Sequence, residues 1–126
     1  MGHAIRLFLV LEAASFILAS LVHFGVLALG YAHGSAAIAE SVIGAVLLLA
    51  LGLSWVLPAS TRRVSIAAQG FGLLGTLVGA LTIAIGVGPR TVPDVVYHAA
   101  ILLVLVSGLV AAARSPAKAP SARTAP

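Results

Sequence analysis

Four long apolar stretches leave this chain few folds to choose from: residues 5–29, 36–57, 64–87 and 95–113. Each runs to about 19–25 residues, and a helix needs about 20 apolar residues to cross a hydrocarbon core of about 30 Å. Backbone groups in lipid must bond within their own segment, so each stretch is predicted to be a helix. Charged residues make up only 8% of the 126, against about 25% in a soluble domain, too few to cover a water-facing surface. The expectation is an all-α, polytopic membrane protein: a four-transmembrane-helix antiparallel bundle over residues 1–113, with the lipid bilayer as its main partner.

The first stretch has a cation, Arg6, ahead of an apolar run, as a cleaved leader does. Its length exceeds the usual apolar region of about 7–15 residues and Glu12 interrupts it, so it is read as a retained span. The breaks carry helix-ending chemistry. Gly30 stops the first helix and Ser35 is placed to cap the second. Pro58 ends the second, and Thr91 with Asp94 has the spacing of a capping box for the fourth. These loops are too short to hold an extramembrane domain.

Basic residues set the expected orientation. Arg6, Arg62, Arg63, Arg114, Lys118 and Arg123 fall on one side of a four-span alternation and Arg90 alone on the other. The positive-inside rule puts both termini in the cytoplasm and the loops at Tyr31 and Arg90 outside. The same placement, flanking apolar runs, points to anionic lipid and away from nucleic acid. Residues 114–126, with three prolines after Arg114 and no apolar period, read as a disordered basic cytoplasmic tail. Trp55, Tyr31 and Tyr97 sit near span ends, where aromatic anchors are expected. Without cysteine there is no disulfide, thiolate ligand or thiol nucleophile.

The informative residues are the polar ones inside the spans, since each costs a few kcal/mol to bury unless it finds a partner. His23, Glu40 and His98 fall at a common depth below the outer face, roughly 6–10 Å at about 1.5 Å per residue. Glu12 and Gln69 form a second, inner layer. Glu12 and His23, eleven residues apart, share one face of the first helix. All five are predicted to face the bundle interior.

Two imidazoles and a carboxylate converging from three helices make a ligand set for a transition metal, with Asp94 placed to orient the second nitrogen of His98. The two histidines could instead hold a haem iron axially, given a large enough cavity. A third reading is a proton relay or a quinone headgroup site, and the plainest is mutual hydrogen bonding that fixes helix register. His3 and His33 lie outside the spans and read as solvated. No phosphate loop, nucleophile elbow or dinucleotide fingerprint is present, so enzymatic chemistry is not expected.

The third span is rich in glycine. Gly75 and Gly79 form a GxxxG, and Gly72, Gly79 and Gly86 recur every seven residues, which keeps one stripe thin for close packing within the bundle or for a homo-oligomer or larger membrane complex.

Ala67-Ala68-Gln69, this glycine-rich span, and Gly86-Val-Gly-Pro-Arg-Thr-Val-Pro-Asp-Val-Val-Tyr-His98 together resemble an uncharacterised family of small four-helix bacterial integral membrane proteins. In architecture the chain is also similar to DoxX-type proteins. The resemblance implies a bacterial cytoplasmic (inner) membrane and nothing about chemistry. The leading functional expectation is a metal- or haem-binding, redox-linked accessory role. Its alternatives are a non-catalytic subunit packing through the third helix and a small proton-coupled transporter.

Overall fold

In the computed structural model the described residues, 2–116, form four α-helices: α1 (Gly2–His23), α2 (Gly34–Val56), α3 (Thr61–Ala84) and α4 (Val92–Arg114). A 3-10 turn at Pro58–Ser60 leads into α3. Each helix is long and apolar enough to cross a membrane. At about 1.5 Å per residue, 22–24 residues span roughly 33–36 Å. Leu49, Leu74 and Leu103 project outward from mid-helix and are 64–71% exposed. A helix that is apolar all round suits a hydrocarbon solvent.

Two helices stop earlier than their apolar runs. α1 ends at His23, not near residue 29, because Gly25 and Gly30 adopt left-handed backbone (φ +75° and +87°). The turn closes when His33 N–H donates to the His23 carbonyl at 2.8 Å. His23 therefore sits in the last turn of α1, not six residues inside it. α3 ends at Ala84, where Gly86 (φ +83°) reverses the chain and the Thr82 carbonyl accepts from Val87 and Gly88 N–H. The glycine at 86 is thus a turn residue overlain by Arg90, not part of a packing stripe.

The caps agree in part with the sequence. Thr91 and Asp94 form the reciprocal capping box that starts α4. α2 is capped by His33, not by Ser35: the His33 Nδ1 accepts from Ala36 N–H at 3.4 Å, and Ser35 lies inside the first turn. The basic tail expected from residue 114 lies, from 117 onward, outside the described residues.

Ile5, Leu9, Phe16, Leu47, Ile101 and Leu105 fill the bundle interior. Arg6 ties the start of α1 to the end of α2, donating to the Ser54 hydroxyl (3.1 Å) and carbonyl (2.7 Å) and lying 5.9 Å from the centre of the Trp55 ring. Arg62 similarly ties α3 to the Ala113 carbonyl of α4.

The glycine stripe of α3 is filled by the chain itself. A Cβ at Gly72 would meet Ile43 and Leu105, one at Gly75 would meet Ile43, and one at Gly79 would lie 2.8 Å from His98 Nε2. Gly70, two residues before Gly72, faces open space. Gly72→Leu should therefore destabilise the bundle by about 1–3 kcal/mol through overpacking, while Gly70→Leu should leave it nearly unchanged. Unfolding in detergent measures both, and equal effects would place the stripe elsewhere.

Candidate functional site

His23 is held where three helices meet. Its Nδ1 lies 2.7 Å from Glu40 Oε2 on α2, and its Nε2 lies 3.0 Å from Asp94 Oδ1 on α4. All three side chains are buried, at 4–8% exposure. Asp94 is fully engaged, since Oδ2 accepts from the Thr91 N–H at 3.1 Å and from the Thr91 hydroxyl.

Helix geometry matches the charges. His23 occupies the last turn of α1, where the helix dipole favours a cation, and Asp94 the first turn of α4, where it favours an anion. Just beneath them Ser20 and Ser41 share a 3.0 Å hydrogen bond between α1 and α2.

His98 does not join this chain. Its Nδ1 lies 2.8 Å from the Asp94 carbonyl one turn back, and its ring rests on Gly79. The expected roles are thus exchanged: the Asp94 carboxylate orients His23, and its main-chain oxygen orients His98. A carbonyl can only accept, so Nδ1 of His98 carries a proton, and in the neutral form of the ring Nε2 is then a bare acceptor.

Two hollows flank the site. A cavity of about 180 Å³ between α2, α3 and α4 is lined by Glu40, Thr76, Thr82, Tyr97 and His98. A more open cleft of about 410 Å³ between α1 and α4 is lined by His23, Asp94 and Tyr97. Tyr97 borders both. Expected as an interfacial anchor, it instead turns inward, edge-on to Phe16, with its hydroxyl buried and without a hydrogen-bond partner among the described residues.

The metal and haem readings lose their geometry here. Both nitrogens of His23 are committed to carboxyl groups, and among the described residues no group of three or more His, Asp or Glu side chains is arranged to hold a metal ion. The two imidazoles face different hollows, each hydrogen-bonded to its own partners, so they do not oppose each other as axial haem ligands would.

The second polar layer forms as expected. Gln69 Nε2 donates to Glu12 Oε1 at 3.3 Å, and both side chains are fully buried. The sequence reading missed Gly108 of α4, which makes room for this pair: a Cβ there would lie 2.5 Å from Glu12 Oε1 and 2.6 Å from Gln69 Nε2. Its signal was a lone glycine among apolar residues opposite a carboxylate, legible only once α4 is known to face α1 and α3.

Two outcomes follow for stability. Thr91→Ala removes the α4 cap and the hydroxyl on Asp94 Oδ2 but leaves the His23–Asp94 contact, and should cost about 1 kcal/mol, whereas Asp94→Ala also strips His23 of a partner and should cost about 2–4 kcal/mol. Equal losses would mean that the His23–Asp94 contact contributes nothing. Gly108→Ala should separate Glu12 from Gln69 and destabilise the chain by about 1–3 kcal/mol; a Glu12→Leu, Gln69→Leu background should relieve part of that cost.

A comparison with protein-family models, with curated proteins and with solved structures found no match, so the chemistry of the site rests on its own geometry.

Proposed function

We propose that this chain is a small multi-pass protein of a bacterial inner membrane, with both termini cytoplasmic, whose outer half relays protons along Asp94–His23–Glu40 in an accessory role. One observation carries this reading: His23 is bonded through both ring nitrogens to carboxyl groups on two other helices. The orientation is supported by the basic residues, six to one in favour of the side that holds the termini.

The relay follows from counting protons. Three groups joined by two hydrogen bonds need two protons between them, since a carboxylate and a bare ring nitrogen both only accept. One arrangement is an imidazolium between two carboxylates; the other is a neutral imidazole with one carboxylic acid. Passing the Nδ1 proton to Glu40 across 2.7 Å interconverts them. The preceding step is its mirror image: with the acid proton on Asp94 and the ring protonated at Nδ1, passing the acid proton to Nε2 across 3.0 Å forms the same imidazolium, so the two steps in sequence carry a proton from the α1/α4 cleft to the cavity beside Glu40.

The relay serves one half of the membrane. Phe16, Leu47 and Leu105, each at most 2% exposed, lie between this layer and the Glu12–Gln69 pair. An apolar layer of that kind favours an accessory role over through-transport.

Imidazole ¹⁵N NMR of His23 in detergent tests the reading. Both ring nitrogens should show strong hydrogen bonding and shift together as pH is varied, and Glu40→Gln should abolish the coupling at Nδ1. A ring that ignores both pH and the substitution reduces the cluster to a structural clasp. In proteoliposomes under an imposed pH gradient, proton flux should not exceed that of empty vesicles; His23-dependent flux would replace the accessory role with transport.

A further inference from the structure

We infer that the cavity between α2, α3 and α4 is a binding site for a single phenolic ring. The inference rests on the relay reading for the fate of the ligand's proton, but not for binding itself. The size argues for one ring: the cavity holds about 180 Å³, and an engineered apolar cavity of about 150 Å³ accommodates benzene. The walls are mainly apolar, with Phe16, Ile43, Val78 and Ile83 among them.

His33 and Ser35 lie at the more exposed part of the lining and bond to each other, and the remaining polar side chains mainly present acceptors. In its neutral form His98 presents a bare Nε2, because Nδ1 donates to the Asp94 carbonyl. Glu40 lines the cavity and uses Oε2 for His23, leaving Oε1 to accept. Thr76 and Thr82 donate their hydroxyl protons to the Gly72 and Gly79 carbonyls, each at 2.7 Å, so only lone pairs remain. Tyr97 adds a buried hydroxyl with no hydrogen-bond partner among the described residues. A ligand that satisfies this lining must bring an O–H and an aromatic body. A phenol does both, and its proton would be presented to Glu40, the last member of the relay.

The test uses three probes on the full-length chain in detergent, followed through the ring signals of Tyr97 and His98: 4-methylphenol, para-xylene, and cyclohexylamine. Para-xylene has the shape of 4-methylphenol with the hydroxyl replaced by methyl, so it isolates the donor. We expect saturable shifts with 4-methylphenol at about tenfold higher affinity than para-xylene, the gain from roughly one net hydrogen bond. His98→Phe, which keeps a planar ring and removes the acceptor, should reduce that preference.

Equal affinity for the phenol and the xylene would overturn the proposal in favour of an unspecific apolar void. Tighter binding of cyclohexylamine would overturn it in favour of a cation site at Glu40. Absence of any saturable shift would overturn it outright. The probe comparison needs no variant, so it stands even if His98→Phe does not fold. Phenol binding that persists while the His23 ring shows no response to pH would uphold this site and defeat the relay.

Discussion

Hydrocarbon cannot solvate an imidazole or a carboxylate, and the arrangement of this bundle follows from that one constraint. Polar side chains placed within spans gain more by meeting each other than by facing lipid. The Asp94–His23–Glu40 chain is the result, and it fastens α4, α1 and α2 at one end of the molecule. Glu12 and Gln69 do the same for α1 and α3 one layer away. Between these layers, packing relies on apolar side chains set into glycine notches, with Ile43 against Gly72 and Gly75.

The helix ends reinforce the polar layer. His23 could not reach Asp94 with its dipole-favoured charge if α1 ran on to residue 29, and the turn at Gly25 prevents that. Asp94 serves the α4 cap with one oxygen and His23 with the other, so a local helix signal and a long-range contact share one side chain. Such sharing makes the site sensitive to changes in the loop as well as in the spans.

Much of this was legible in the residues. The four helices, the Thr91–Asp94 cap, the burial of Glu12, His23, Glu40 and Gln69, and the pairing of Glu12 with Gln69 all follow from hydropathy, spacing and the cost of lone polar groups in lipid. His98 and Asp94 were placed at the right depth with the wrong partners, because depth along a helix is readable and rotation about it is less so. Tyr97 was misplaced for a related reason: an aromatic near a span end suits either the interface or the core, and only the position of Phe16 decides.

What the sequence determined alone is the set of helices and the layers in which their polar groups must lie, since periodicity and the solvation cost of charge are local properties of the chain. Which imidazole bridges two carboxyl groups, and which instead lines a cavity with one bare nitrogen, was decided by the tertiary structure. That choice depends on where α1 stops and on how α4 turns toward α1 and α3, both set by contacts between residues up to 71 positions apart.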